Sequence, residues 1–491
     1  MDITLISPYL DIFSYGVRSL SSTLREHGYS TRLIFLHDLK ALTEGNFDYP
    51  RKYHPAALDG VVELCQDSDL VGISVMSNFY DRSLELTRTI QEKTGVPVMW
   101  GGIHPTLMPE ECIELADMVF IGEGELALPE FMKKWKGGID YYDSSNFWFK
   151  RNGEIIKNSL LDPIQDLNSI PMQDISLEEH YSINWEQNKI IEMDEKVFES
   201  LTTNGVSIGD RRPIFQVMAT RGCPHKCSYC CNYAIEKLYP GHGRIRRRSV
   251  GNLIDELVYI KGRIPSIELF AFTDDSFMAA DSDWLNEFSE EYKSKVGVPL
   301  FCLSSPVTIN RKMMDLFVDT GLYSIEIGIQ TGSAKTKKMY NREISNESVV
   351  KAAKLLNEYR DKIYPPVYDI ILNNPLERIT DMLDTVRLMH SLPHPKIFNY
   401  FSMTFFPGTL VLEMALEAGV VKDMIEDVYR KHYFIYGYKY INILYLLAEK
   451  RIPGWIFSIL TNTALAYILN AILPEKLLKY LVTKAKNRGQ E

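Results

Sequence analysis

The sequence predicts an α/β protein: an N-terminal doubly wound parallel sheet, then a partial six-stranded (β/α)6 barrel, then a helical C-terminal region. Three observations predict it. Short apolar runs alternate with helix-period segments over the first 135 residues, the alternation resumes from residue 213 to residue 404, and beyond Gly419 only the helical pattern remains. At 491 residues the chain exceeds one ordinary domain of ~100–200 residues. The expected divisions are 1–140, a hairpin, linker and insertion over 141–212, the barrel over 213–420, and 421–491.

Hydrophobic residues make up 45% and charged residues 24%, the balance of a globular chain able to bury large cores. The net charge of -10 argues against broad capture of nucleic acid, whose phosphates need clustered Lys and Arg, and favours a small-molecule or lipid substrate. Seven cysteines are too few for a disulfide scaffold, and four of them fall between Cys223 and Cys231, which points to metal. The start, MDITLISPYL, has no basic segment ahead of an apolar core, so no signal peptide is read and reducing cytoplasm is the expected compartment.

The first unit opens with a strand at Asp2 to Ser7, a helix at Gly16 to Gly28 and a strand at Ser30 to Phe35. The pattern repeats as Leu70 to Val75, Asp81 to Lys93 and Pro97 to Trp100, then as Asp117 to Ile121 and Gly124 to Trp135. Alternation of this kind makes a parallel sheet, whose ligands sit beyond the carboxyl ends of the strands. Those ends carry Pro8 to Gly16, Ser74 to Asn78 (with Ser74 and Ser77), Gly101 to Thr106 (GGIHPT) and Gly122 to Glu125 (GEGE). Any one such loop is explained by chain turning. Four on one edge favour a bulky ligand that approaches the backbone where no Cβ intervenes.

This segment resembles the cobalamin-binding domain that precedes many radical SAM domains, with Tyr15-Gly16, GGIHPT and GEGE in the same order. The resemblance implies a Rossmann-like fold and cobalamin contacts from Phe13, Gly16, Ser74, Ser77, Gly101, Gly102, His104, Gly122, Glu123 and Gly124. Related domains carry Asp-x-His-x-x-Gly, whose His ligates cobalt. Here the run is Asp11-Ile12-Phe13-Ser14-Tyr15-Gly16, and Phe13 has no lone pair to give a metal. A cobalt without a His ligand from this position follows, and His104 reads as a loop-shaping or cofactor-edge residue.

Phe147 to Lys157 alternates around Asn152-Gly153, a hairpin that closes the first unit. Leu161 to Pro171 reads as a linker. Ile175 to Arg212 is polar and weakly periodic, either a surface excursion or a lid over the substrate.

An apolar strand from Phe215 to Ala219 then runs into Thr220-Arg221-Gly222-Cys223-Pro224-His225-Lys226-Cys227-Ser228-Tyr229-Cys230-Cys231, a CxxxCxxC spacing. Three thiolates on one short loop reach three corners of a 4Fe-4S cubane and leave the fourth iron open, free to be chelated by S-adenosylmethionine. Zinc would use a second CxxC pair, and Cys302 stands alone downstream. A redox CxxC would leave Cys223 unexplained. Cys231 makes the register ambiguous, and with Cys223 and Cys227 fixed the spacing selects Cys230. Cys65 and Cys112 fall on expected helices as ordinary buried residues.

The stretch resembles the radical SAM superfamily, including RGCP before the cluster, Tyr229 before the third cysteine and the basic run Arg244 to Arg248 after it. The resemblance implies cluster ligation by Cys223, Cys227 and Cys230, with Tyr229 near the adenine. The basic run is either a solvated face or a receiver for an anionic substrate or the phosphate of cobalamin's tail.

Downstream, strands at Ser266 to Thr273, Leu300 to Leu303, Tyr323 to Gly328, Val367 to Leu372 and Ile397 to Thr404 alternate with helices, making six with the first. Their carboxyl ends hold Asp274 and Asp275 (FTDDSF), Ser304 and Ser305, Gln330 (GIQTGS) and Asn373 to Glu377. Carboxylates and amides suit the ammonium and ribose hydroxyls of S-adenosylmethionine. Asp274 is favoured as a contact, while Asp275 is balanced between contact and capping the next helix. GIQTGS resembles the family's GxExGS-type strand with Gln330 in place of Glu, and Pro407-Gly408-Thr409 matches a further family pattern.

Ile452 to Pro474 has no charged residue over 23 positions, between Lys450-Arg451 and Glu475-Lys476. Its Ser, Thr, Asn, Pro and Gly favour helices packed on the barrel, then an interfacial element with peripheral membrane contact, then a membrane span.

The combined resemblance implies an enzyme that generates a 5'-deoxyadenosyl radical, draws electrons from an external flavodoxin- or ferredoxin-type reductant, and methylates an unactivated carbon. Radical cyclisation or rearrangement without methyl transfer is the alternative, and a non-catalytic cluster-bearing binding or electron-transfer protein the second. No general acid or base is singled out.

Overall fold

A computed structural model describes residues 1–38, 51–202, 212–240, 244–275, 277–431, 437 and 439–480. Ser276 of FTDDSF, residues 203–211 of the insertion and 481–491 of the C-terminal region lie outside the described residues.

The first unit is a nine-stranded sheet. Its strands are β1 (Ile3–Ser7), β2 (Thr31–Phe35), β3 (Leu70–Ser74), β4 (Val98–Gly101), β5 (Met118–Phe120), β6 (Phe147–Arg151), β7 (Glu154–Lys157), β8 (His180–Asn184) and β9 (Lys189–Glu192), in the order β7-β6-β5-β4-β3-β1-β2-β8-β9. β1 and β2 are buried throughout because helices cover both faces of the sheet, which is why they read as unbroken apolar runs. From β5 to β8 the pairs are parallel. The chain winds outward in one direction from β1 to β2 and in the other from β3 to β5, so the switch point lies between β1 and β3.

One edge follows the sequence expectation and the other departs from it. The hairpin β6–β7 pairs antiparallel with β5, as the Asn152-Gly153 turn predicts. Residues 175–202, expected as a surface excursion or lid, instead extend the opposite edge: β8 pairs parallel with β2 (Leu33 opposite His180) and β9 returns antiparallel. His180 and Ile183 are buried there while Lys189 and Glu192 are exposed, so the half-buried edge has a polar composition. The following helix, Glu195–Thr202, inserts Phe198 beside Phe215 (centroids 6.3 Å apart), and Phe13 meets Phe215 edge-on at 5.7 Å. One apolar core therefore runs from the first sheet into the barrel.

The barrel strands are β10 (Ile214–Val217), β13 (Leu269–Phe272), β14 (Leu300–Ser304), β15 (Leu322–Gln330), β16 (Val367–Leu372) and β17 (Ile397–Ser402), all parallel and in that order. A two-strand ladder, β11 (Thr220–Arg221) with β12 (Arg246–Arg247), closes the loop that carries the cysteines. Six parallel strands match the expected partial barrel.

The C-terminal helices Tyr440–Ala448, Gly454–Leu460 and Thr463–Ile472 pack on the barrel helix Ile379–Ser391. The His390 and Phe457 rings stack at 3.9 Å and Arg387 donates to the Thr461 carbonyl at 2.7 Å. Among the described residues no single helix is long and apolar enough to cross a membrane; the pair Gly454–Leu460 and Thr463–Ile472 is bent by 56°.

Candidate functional site

Two cavities adjoin where the carboxyl ends of both sheets face each other. The larger, of about 470 Å³, is walled by the loops after β1, β3, β4 and β5 and, across from them, by Arg221, Gly222, Asn232, Tyr239 and Asp275. Gly16, Ser74, Gly101, Gly102, Gly122, Glu123 and Gly124 line it. Two of the glycines have a steric reason. Gly122 has φ +83° and a Cβ there would lie 2.0 Å from the Tyr239 hydroxyl; Gly102 has φ +97° and its Cβ would meet the Val75 carbonyl at 3.0 Å. The result is a wide, mainly apolar cleft at the topological switch point, which fits a flat tetrapyrrole-like ligand.

Three residues of the expected set stand off this wall. Phe13 is buried against Phe215 between sheet and barrel. His104 is buried beneath its loop, its Nδ1 3.0 Å from the Ser77 hydroxyl and its ring edge-on to Tyr80 and Tyr429. Burial pushes the His104 pKa down to about 4, and its Nε2 has no partner among the described residues. His104 and Ser77 therefore hold each other behind the GGIHPT loop, off the cavity wall.

The acids of GEGE tie the two units together. Glu125 pairs with Arg221 and accepts from Ser19 at 2.9 Å; Glu123 pairs with Arg246 at 2.7 Å while still lining the cavity. Of the basic run, Arg244 is exposed, whereas Arg246, Arg247 and Arg248 reach partners within the protein. Arg246 is buried on Glu123 and the Ile164 carbonyl, Arg247 reaches the Ala279 carbonyl at 3.0 Å, and Arg248 pairs with buried Glu256. Buried guanidiniums need such partners, and these contacts join segments, while Arg247 Nη1 has no partner among the described residues.

The smaller cavity, of about 210 Å³, lies at the barrel mouth. Cys223, Cys227 and Cys230 share its wall with Tyr229, Asp275, Ser304 and Gln330. Cys231 is not in that wall; it begins the helix Cys231–Leu238 and its thiol touches that of Cys230. Among the described residues no three His, Cys, Asp or Glu side chains converge on a single-ion site. Burial pushes the Cys223 thiol up to about 11 and, together with the Cys231 contact, raises Cys230 as well. Ligation by these sulfurs therefore requires that a positive centre displace their protons. Arg342 helps: its Nη1 stands 3.5 Å from Cys227 Sγ. Three sulfurs and a guanidinium on one wall fit an iron–sulfur cluster held at three corners.

Asp274, expected as a contact, lies off both cavities, and Asp275, expected as either a contact or a helix cap, lines them. Asp274 is fully buried, accepting from the Ala219 amide at 2.9 Å and Thr220 Oγ1 at 2.6 Å, and lines neither cavity. It moors the cysteine loop to the end of β13. Asp275, one residue further, lines both cavities and accepts from Asn232 Nδ2 at 3.0 Å. Adjacent side chains at a strand end point to opposite sides, and burial decides which is which.

Gln330 ends β15 with φ +70°, a costly conformation for a non-glycine, just past a register shift between Gly328 and Gln330. Its side chain folds over Gly328, where a Cβ would lie 2.7 Å from Gln330 Nε2. Sequence reasoning missed Arg342, Asn232 and the buried carboxylates Glu326 and Asp369, all of which line the smaller cavity. Burial raises both carboxyl pKa values, Asp369 to about 6, the neighbouring Asp369 adds to the rise of Glu326, and Glu326 Oε2 has no partner among the described residues. An orphaned carboxyl oxygen in this cavity suits an ammonium or hydroxyl donor such as S-adenosylmethionine carries. Glu326 was readable only as the in-facing neighbour of Gly328 and Gln330 at period two, and nothing local marks Arg342.

The family model "B12 binding domain" matches residues 1–132 and "Radical SAM superfamily" matches residues 217–389. An uncharacterized methyltransferase (PH0819) of Pyrococcus horikoshii is 24% identical over 371 residues, 73% of this chain and 72% of its own length. The bacteriochlorophyllide d C-8(2)-methyltransferase of Chlorobaculum tepidum is 21% identical over 374 residues (74% and 71%). The anaerobic magnesium-protoporphyrin IX monomethyl ester cyclase of Rubrivivax gelatinosus is 23% identical over 311 residues (59% and 49%). In fold, the chain is similar to the radical S-adenosylmethionine methyltransferase TsrM of Kitasatospora setae, solved with cobalamin and a [4Fe-4S] cluster: TM-score 0.64, 16% identity, 86% of this chain and 79% of that one. The cobalamin-dependent radical enzyme OxsB, solved with aqua-cobalamin and S-adenosylmethionine, gives TM-score 0.64 at 14% identity, over 88% and 64%.

Proposed function

Because this chain belongs to the radical SAM superfamily and is a cobalamin-dependent enzyme of it, with a B12-binding domain ahead of its barrel, we propose that it methylates an unactivated carbon of a small organic molecule or lipid. The observation that carries the reading is the shared wall of the two cavities: Asn232 and Asp275 belong to both. A substrate carbon at that seam lies within reach of both cofactor spaces.

When bound, the cluster with S-adenosylmethionine supplies a 5'-deoxyadenosyl radical, and cobalamin supplies a methyl group. The chain's residues do the rest. Cys223, Cys227 and Cys230 hold the cluster, and Arg342 offsets the charge of its sulfurs. Tyr229, Asp275, Ser304 and Gln330, which line the smaller cavity, would hold S-adenosylmethionine, with Glu326 available to its donors. Gly16, Ser74, Gly101, Gly102, Gly122 and Gly124 would hold cobalamin, while Phe13, Ser77, His104 and Asp274 lie off that wall and support it. The domain division we propose keeps the barrel at 213–420 and extends the first unit through β9. An external flavodoxin- or ferredoxin-type donor supplies the electron.

The test is anaerobic: the reconstituted enzyme with cobalamin, a strong one-electron reductant and S-adenosylmethionine. The expected products are 5'-deoxyadenosine together with S-adenosylhomocysteine. 5'-Deoxyadenosine without S-adenosylhomocysteine would instead support radical cyclisation, the reading that similarity to the cyclase favours. Neither product would sink both.

A further inference from the structure

The helices Gly454–Leu460 and Thr463–Ile472 bury one face and leave the other bare. Phe457 and Ala466 pack inward, while Trp455, Ile459, Tyr467, Ile468 and Ile472 are each at least half exposed, Trp455 at 71%. The outward residues recur at helical spacing, Trp455 with Ile459 and Ile468 with Ile472, so they form a stripe rather than scattered exceptions. A contiguous apolar stripe in water marks a surface that something covers.

Charge selects the occupant. The stripe lies in a stretch without charge, Ile452 to Pro474, and exposed Lys450, Arg451, Lys476 and Lys479 flank it. From Lys450 to Glu491 the sequence has seven Lys or Arg against two acids, in a chain whose net charge is -10. A second copy seated on this face would bring two cationic rims together, whereas an anionic lipid surface would neutralise one. With 7 and 10 residues, the helices are about 10 and 15 Å long and cannot cross a bilayer core of ~30 Å; the 56° bend lets both lie along a surface. Trp and Tyr among the outward residues suit the headgroup boundary.

We propose that this C-terminal block docks the enzyme on the surface of an anionic phospholipid bilayer. The same block reaches the site end of the barrel. Ile441 of the helix Tyr440–Ala448 donates its amide to Asn470 at 3.3 Å, and Asn442 donates to Asn373, just past β16, at 3.0 Å. The block thus runs along the side of the barrel, from His390 at one end of the helix Ile379–Ser391 to Asn373 at the other.

The full-length protein is sedimented with phosphatidylcholine vesicles, with and without phosphatidylglycerol. It is expected to pellet with the anionic vesicles and to be released by salt. Replacing Trp455, Ile459, Ile468 and Ile472 by Ser is expected to weaken binding by about tenfold or more, since each loses apolar burial. Lys450→Gln with Arg451→Gln and Lys476→Gln is expected to abolish the preference for phosphatidylglycerol while the circular dichroism stays unchanged. Protein that stays in the supernatant with both vesicles overturns the proposal. So does a dimer, seen by light scattering, that the Ser variant dissociates, because a second copy would then own the face.

Discussion

Asn232 donates to Asp275 across 3.0 Å, and these two side chains are common to the cavity under the first sheet and the cavity at the barrel mouth. One comes from the helix that follows the cysteines, the other from the end of β13. Their hydrogen bond marks where two cofactor spaces, built by separate domains, meet.

Asp275→Ala is expected to weaken S-adenosylmethionine binding by roughly tenfold or more, the cost of one charge-assisted hydrogen bond, without loss of iron. Equilibrium binding to reconstituted protein, with iron counted in parallel, separates the effects. Unchanged affinity would remove Asp275 from the cofactor wall.

Single substitutions Cys223→Ala, Cys227→Ala and Cys230→Ala are expected to abolish the visible absorbance of a [4Fe-4S] cluster after reconstitution, whereas Cys231→Ala retains it. The cavity wall includes the first three sulfurs and not the fourth. A colourless Cys231→Ala protein would shift the ligand register.

Arg342→Gln removes the guanidinium 3.5 Å from Cys227 Sγ. Loss of a nearby positive charge favours the oxidised cluster, so the reduction potential is expected to fall, with iron content largely kept. Electron paramagnetic resonance during a reductive titration reads the potential directly.

Asp274 supplies a pH signature. Burial raises its pKa from the ordinary 3.8 to about 6, so the folded state holds this proton more tightly than the unfolded one. Its contribution is most favourable below pH 3.8 and is lost as pH rises to about 6, for a total of up to roughly 3 kcal/mol. Asp274→Asn keeps an acceptor for Thr220 and cannot ionise. Urea unfolding of the apoprotein at a series of pH values is expected to show a flatter profile over this interval and a more stable variant at pH 7.

Arg246→Ala leaves Glu123 without its principal partner at the junction of the units. A loss of about 1–2 kcal/mol is expected, since Glu123, only partly buried, keeps the Arg221 guanidinium at 3.5 Å and the Ile164 amide at 2.8 Å as its remaining partners. Retained cobalamin, measured by absorbance, should fall with it because Glu123 also lines the larger cavity.

Periodicity and spacing along the chain determined which strands form, their parallel arrangement in two units, and the three sulfurs of one loop. These follow from local signals: apolar runs of strand length, helix-period segments between them, and CxxxCxxC, whose reach is set by a few bonds. Tertiary structure decided what required knowing a neighbour. Only packing shows that Asp275 and not Asp274 reaches the cavities, because the two are chemically alike and differ in burial. Only packing turns Arg246 to Arg248 from a basic run into partners of Glu123, Glu256 and the Ala279 carbonyl, and brings Arg342 to Cys227 from 115 residues away. The insertion strands β8 and β9 escaped notice for the same reason: an edge strand buries one face only, and which face depends on the strand it joins.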